Sequence, residues 1–240
     1  MDYRLALMTG TDIPVPSCQL TIHQPTIKEI GMIGETEFRI GSHCLILEKA
    51  DYIQDESLLS ANSNFQIFMA IMSERQEIEK RNNTILVLTL LFPKYKILFT
   101  PRAIMLNNGE ENIIIDEGNF EELQNILREI FCMTKNQQNS FNPGNAEAKK
   151  IAEKLMKARQ RVAAQKKSEE GNGSVYAQYV SSLAVALHLP LDSLVNLTIY
   201  QINDLLERYS LWVGWDLDMR ARLIGGSSDS KPDNWMKNIH

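Results

Sequence analysis

Over the first forty residues apolar and polar positions alternate in short segments, Tyr3 to Met8 and Gln19 to His23, separated by Thr9-Gly10-Thr11-Asp12 and by Pro14 and Pro16. A period of two between turn residues predicts short strands. Pro25 and Thr26 then stand ahead of Glu29 at the spacing of a helix start, and Gly31 and Gly34 predict that this helix stops early. Ser42 to Ala50, with apolar Leu45, Ile46 and Leu47 and a charged end, fits strand and helix equally. From Ser60 to Arg81 the period lengthens. Phe65, Phe68, Met69, Ile71, Met72 and Ile78 recur at helical spacing and predict one buried amphipathic helix whose Met and aromatic side chains pack a core. Thr84 to Phe92 is a continuous apolar and β-branched run between Asn82-Asn83 and Pro93, which predicts the central strand of the amino-terminal half.

Lys96 to Thr100 and Ala103 to Leu106 are strand-like and broken at Pro101. Asn107-Asn108-Gly109-Glu110 predicts a hairpin, since Asn and Gly accept the positive φ of tight turns, with a strand at Asn112 to Ile115 returning antiparallel. Asn119 is placed to cap a helix with the stripe Phe120, Leu123, Ile126, Leu127 and Ile130, reaching about Cys132. Thr134 to Asn145 is polar, aperiodic and ends in turn residues, which marks a boundary. The expected fold class is α+β, an amino-terminal mixed antiparallel sheet with helices linked to a carboxyl-terminal all-α domain. The expected division is an α+β domain over 1–133, a linker over 134–146 and a helical domain over 147–240.

The helical domain begins with a segment from Ala146 to about Ser168 of high helix propensity and thin apolar stripe, in which Lys154, Arg159 and Arg161 are among eight basic residues. It lacks interleaved aromatic residues or a reading motif, so a solvated connector is favoured over a nucleic-acid contact. After Gly171-Asn172-Gly173, Ser174 restarts a helix lined by Val175, Tyr176, Tyr179, Val180, Leu183, Ala184 and Leu187 that ends near His188-Leu189-Pro190. One short turn follows, and Thr198 with Gln201 predicts a capping box for a helix through Tyr209.

A net charge of -5 gives no global basic field for nucleic acid or an anionic membrane. The amino terminus lacks a basic region followed by an apolar one, and no apolar run approaches the ~18 residues that span a bilayer, which predicts a cytosolic protein. Cys18, Cys44 and Cys132 are too scattered for a disulfide framework. Cys18, His23, His43 and Cys44 invite zinc, but their spacing is irregular and adjacent ligands rarely turn to one metal. No phosphate loop, dinucleotide fingerprint, zinc-protease helix or nucleophile elbow occurs. A nucleophile-base pair would have to draw on His23, His43 or His188 without a supporting motif, and Asp216 and Asp218 are two positions apart and point to different sides of a helix. The sequence predicts neither an enzyme, nor a metal site, nor a cofactor.

All three tryptophans, Trp212, Trp215 and Trp235, lie in the last thirty residues. Leu211, Trp212, Trp215, Met219 and Leu223 recur at helical intervals, and Asp216 precedes Arg220 by four, the spacing of an exposed ion pair. Gly225-Gly226 ends that helix, and Pro232-Asp233-Asn234-Trp235 starts a last turn carrying Met236 and Ile239. Such a segment suits a small helical core with a charged rim or a surface that grips another protein.

The order Thr198-Ile-Tyr-Gln-Ile-Asn-Asp-Leu-Leu-Glu-Arg-Tyr, then Trp215-Asp-Leu-Asp-Met-Arg-Ala-Arg-Leu-Ile-Gly, then Trp235-Met-Lys-Asn-Ile-His240 resembles the carboxyl ends of tail assembly chaperones of tailed bacteriophages, over about the last seventy residues. The amino-terminal half departs from those mostly helical proteins by its sheet signals and is more weakly similar to baseplate assembly proteins of contractile-tailed phages. The resemblance implies a non-enzymatic protein of the host cytoplasm, or of the virion, that binds tape-measure, tail-tube or baseplate-hub subunits during morphogenesis. The residues expected to carry partner binding are Trp212, Trp215, Arg220, Arg222 and Trp235, with Lys154, Arg159 and Arg161 of the basic helix. The competing readings are a permanent virion or baseplate subunit and a nucleic-acid-binding factor that uses the basic helix.

Overall fold

Gly10 decides the first element. At φ 67 it adopts the left-handed conformation that ends a helix, and it caps α1, Arg4–Thr9, with its N–H on the Ala6 and Leu7 carbonyls. Tyr3 to Met8 is therefore helical, not the expected strand. The side chain of Gln24, buried behind this turn, donates to the Ala6 and Thr11 carbonyls. The structure, a computed structural model, describes residues 3–53, 60–133, 173–224 and 235–236.

A two-stranded antiparallel ribbon follows, β1 (Ile13–Val15) with β2 (Leu20–Ile22), joined by a single 3-10 turn at Pro16–Cys18. β2 is the expected strand. Thr26 starts α2, Ile27–Ile33, through a full capping box: its hydroxyl accepts from the Glu29 N–H while the Glu29 carboxylate accepts from the Thr26 N–H. Gly34, at φ 98, ends α2, whereas Gly31 lies within it. The ambiguous segment from Ser42 joins the helix α3, Glu35–Ile46, and Lys49–Tyr52 forms a short α4.

The largest departure from expectation concerns Thr84 to Phe92, which is helix. The expected single helix from Ser60 to Arg81 is divided: α5 covers Asn64–Ser73, a 3-10 turn covers Arg75–Glu77, and α6 runs Ile78–Leu91. Ile78 starts α6 and is exposed rather than part of a buried stripe. Within α6 the buried positions are Asn83, Thr84, Val87, Leu88 and Leu91, a period of three to four, while Leu86 and Thr89 face outward. A continuous apolar run has no period of its own, and what decides here is the partner. α6 crosses α3 closely at Gly41, where even a Cβ would meet the Asn83 carbonyl oxygen at 2.3 Å and Val87 Cγ2 at 2.7 Å. The β-branched Thr84 and Thr89 are accommodated because their hydroxyls donate back to the Lys80 and Ile85 carbonyls.

The sheet is the expected hairpin pair without a central Thr84 strand: β3 (Lys96–Thr100), β4 (Ala103–Asn107) and β5 (Asn112–Ile115), antiparallel in the order β3-β4-β5. Asn107 and Asn108 organise the second turn, their side-chain oxygens accepting from the Gly109, Glu110 and Glu111 N–H groups, with Gly109 at φ 95. Asn119 stands at the cap position of α7, Phe120–Ile130, but its side chain bonds backward to the Asp116 N–H and Ile114 carbonyl and so closes the turn without capping the helix. α7 ends at Ile130, ahead of the expected Cys132.

Aromatic rings join these layers. Phe68 on α5 lies 5.0 Å from Phe120 on α7 and 6.2 Å from Phe99 on β3, centroid to centroid, and Phe38 on α3 meets Phe131 edge-on at 5.4 Å. α7 also closes the end of α3: buried Gln124 donates to the Leu45 and Leu47 carbonyls, and Arg128 donates to the Ile46 carbonyl beside Glu48. Helix ends leave carbonyls unsatisfied, and these two side chains supply the missing donors where water is excluded.

The carboxyl-terminal part is helical: α8 (Val175–Leu187), α9 (Leu191–Val195) and α10 (Ile199–Leu223). Ser174 accepts from the Ala177 N–H at the start of α8, and His188, at φ 54, follows its end. The expected helix through Tyr209 and the separate one after it are a single 25-residue helix. Met1–Met133 and Tyr179–His240 make up one compact unit, and Thr134–Gln178 make up another. The helices expected within a separate domain over 147–240 thus belong, from Tyr179 on, to the same unit as residues 1–133. The expected linker at 134–146 and the basic helix lie outside the described residues. The fold class is α+β, with a helical carboxyl-terminal region.

Candidate interaction surface

The base of α10 is locked to the amino-terminal segment. Thr198 and Gln201 form the expected capping box, Thr198 pairs with Thr26 in an antiparallel bridge, and the Ile27 N–H donates to the Leu197 carbonyl at 2.9 Å. Gln201 Nε2 donates to the Met8 carbonyl at 2.8 Å, beside Gly10. Ile199, Tyr200, Ile202 and Asp204 are buried there. The capping boxes of α2 and α10 therefore meet at one junction, where each cap is worth on the order of 1 kcal/mol.

Beyond that base the helix changes character. None of the side chains described from Leu205 to Ile224 is buried. One stripe is half-covered: Arg208, Leu211, Trp215, Asp218 and Arg222, spaced three and four apart, with Arg208 Nη1 donating to the Trp235 carbonyl at 3.2 Å. Tyr209, Val213, Asp216 and Met219 outside that stripe are half-covered as well, while Trp212, Leu217 (61% exposed) and Leu223 (84%) are open, with Met236 nearby in sequence to half-buried Trp235. The Trp212 ring lies beside that of Tyr209, centroids 6.0 Å apart. Arg220 pairs with Asp216 and Arg222 with Asp218, each at 2.9 Å and four residues on. These arginines thus carry acid partners, an arrangement suited to the rim of a protein contact rather than to phosphate.

Of the residues expected to bind a partner, the structure places Trp212, Trp215, Arg220 and Arg222 along one helix and brings Trp235 back to it through Arg208. Lys154, Arg159 and Arg161 lie outside the described residues. Sequence reasoning overlooked Leu217 and Ile224 and counted Leu223 as part of a stripe, although both leucines and Ile224 are exposed. The available signal was that apolar residues after Tyr209 fall on more than one helix face, more than one core contact can cover.

Other candidate chemistry resolves into structure. His23 stands between Asp12 (3.3 Å) and Glu29 (3.2 Å), but Glu29 also accepts from the Thr26 N–H and hydroxyl at 2.8 Å each, so its carboxylate serves the capping box. Burial acts to raise the Glu29 pKa, and the two Thr26 bonds with the His23 contact outweigh it, leaving the carboxyl below its ordinary value. A lowered folded pKa contributes stability that is present above the unfolded value, near 4.5, and is lost as pH falls through the folded one. The urea midpoint of the protein should therefore exceed that of Glu29→Gln at neutral pH, with the gap closing below about pH 4. A gap that stays constant with pH would show that the charge contributes nothing.

His43 is exposed and Cys44 buried on opposite sides of α3, and burial raises the Cys44 thiol pKa. Burial likewise pushes the Cys132 thiol up to about 11, which keeps it protonated and unreactive. Among the described residues no three His, Cys, Asp or Glu side chains gather as a metal-binding group. Among the same residues no helix is long and apolar enough to cross a membrane.

The segment that carries the exposed helix is also the segment with a known relative. Residues 176–240 match the second domain of YomV. YomV is a phage-type protein, and the match covers about a quarter of the chain: α8 from Tyr176, α9, all of α10 and the turn at Trp235. No curated protein and no solved structure matches the chain. The similarity to YomV reaches as far as a phage association of this carboxyl-terminal segment.

Proposed function

We propose that the chain is a non-enzymatic assembly protein of a tailed bacteriophage, working in the host cytoplasm, which holds a tail component through the distal half of α10. The component is of the tape-measure, tail-tube or baseplate-hub class. The observation that carries this reading is the exposure of Trp212, Leu217 and Leu223 on a helix whose base is locked in place, inside the segment similar to a phage-type domain. Large apolar side chains that lose water on contact supply most interface energy, and a helix fixed in advance has little ordering entropy left to lose. The Asp216–Arg220 and Asp218–Arg222 pairs fit the polar rim of such a contact.

Deletion of Ser210 to His240 tests the reading, because the buried base of α10 remains. The truncated chain, shown by circular dichroism to lose only the helix of the deleted residues and to keep a cooperative melt, should fail to co-purify with the tape-measure protein expressed beside it. A folded truncation that still retains all three classes of tail component would sink the proposal.

A further inference from the structure

The three-stranded sheet has an outward face on which Leu98 and Ile114 are exposed and Met105 is half-buried. In register across it stand Leu98, Met105 and Ile114, one from each strand, with Leu98 56% and Ile114 49% exposed. Their neighbours on the other face, Ile104, Leu106 and Ile115, are buried in the core. An apolar row running the full width of a sheet on its solvent side is unusual for a surface that meets only water.

The charges around that row are sorted by edge. On the β3 side stand exposed Lys96 and, in the β3–β4 turn, Arg102; on the β5 side stand exposed Glu111 and Asp116. Their levels along the strands also correspond. Lys96 is level with Asn107 and Asn112, next to Glu111, while Arg102 turns the chain at the end where Asp116 leaves β5. One edge is basic, the other acidic, and the middle apolar.

We propose that this face pairs with the same face of a second copy of the chain. Two sheets related by a two-fold axis parallel to their strands place β3 of each opposite β5 of the other. Leu98 then lies on Ile114 of the second copy, Met105 meets its own equivalent at the axis, and each basic edge faces an acidic one. A two-fold axis running across the strands would instead set Lys96 of each copy against Arg102 of the other, so the charge pattern selects one of the two symmetric arrangements. Lys96 on the outer strand also discourages continuation of the sheet edge to edge.

The size of the face sets the strength. Three strands ~4.8 Å apart and four or five residues long at ~3.3 Å each present roughly 200–240 Å² per copy, against the ~800 Å² per partner typical of a stable complex. A face of that size fits a weak dimer that is not obligate. The inference rests on the sheet alone and not on α10, so the two proposals stand or fall separately.

Sedimentation equilibrium of the full chain, from about 10 μM to about 1 mM, tests it. The expected result is a monomer–dimer equilibrium that Leu98→Glu weakens roughly tenfold or more. Lys96→Glu and Glu111→Lys should each weaken it about tenfold, because each reversal acts twice across the axis, and an equimolar mixture of those two variants should associate as the wild type does. All three substitutions are at exposed positions, so folding is checked by an unchanged melt. A wild-type chain that is monomeric throughout, a dimer indifferent to Leu98→Glu, or a mixture that fails to restore association overturns the proposal.

Discussion

Phe68→Ala is expected to lower stability by about 3–5 kcal/mol, the largest loss of any single truncation considered, seen as a fall of about 10 °C or more in Tm and a matching drop in urea midpoint. The ring is fully buried and touches three elements at once: Phe65 within α5, Phe120 on α7 and Phe99 on β3. A cavity there cannot be closed by one side chain shifting, since the walls belong to a sheet and two helices held by their own contacts. A cost under about 1 kcal/mol would mean that the rings do not join these layers.

Gly41→Ala is expected to destabilise by about 1–3 kcal/mol, or to prevent folding, through addition of one methyl group. The new Cβ would sit 2.3 Å from the Asn83 carbonyl oxygen, a backbone atom of α6 that cannot rotate away. Separation of α3 and α6 would then loosen Val87, Leu88 and Thr84, all buried along that crossing. Gly214 offers the internal contrast, because a Cβ there meets nothing within 4 Å and the helix interior favours Ala over Gly. Equal melting behaviour of Gly41→Ala and Gly214→Ala would contradict the close crossing.

The two substitutions also show what sequence could and could not convey. Elements defined by local chemistry were legible. The capping boxes at Thr26 and Thr198 and the Asn-Asn-Gly turn stand where the side chains that build them predict. Elements defined by a distant partner were not. Thr84 to Phe92 has the composition of a strand, and only the glycine forty residues earlier, which lets α3 approach, makes a helix the better burial. Tyr3 to Met8 alternates by chance, and the capping at Gly10 decides in favour of a turn and a half of helix. In α10 the helix expected to end at Tyr209 continues through Gly214 to Leu223.

The candidate surface was half legible for the same reason. Three tryptophans and two arginines near the carboxyl end marked the region, but composition does not say which side of a helix is covered. Trp212 and Trp215 are three residues apart and only about 60° around the axis, so they are neighbours on the helix, with Trp215 in the half-covered Arg208 stripe and Trp212 just outside it at 41% exposure. Leu223 counts in the apolar stripe and Leu217 is not singled out by the pattern, and the exposure of both emerges only from the helix continuing past its anchored base.

The account turns on the distal half of α10 as the site where a partner binds. The most direct measurement is co-purification of the tape-measure, tail-tube and baseplate-hub proteins with the full chain carrying Leu217→Glu and Leu223→Glu together. Both side chains are exposed, so the melt should match the wild type, and retention of the bound component should fall at least tenfold, which corresponds to about 1.4 kcal/mol. Wild-type retention by a chain with both substitutions would contradict the assignment of partner binding to α10.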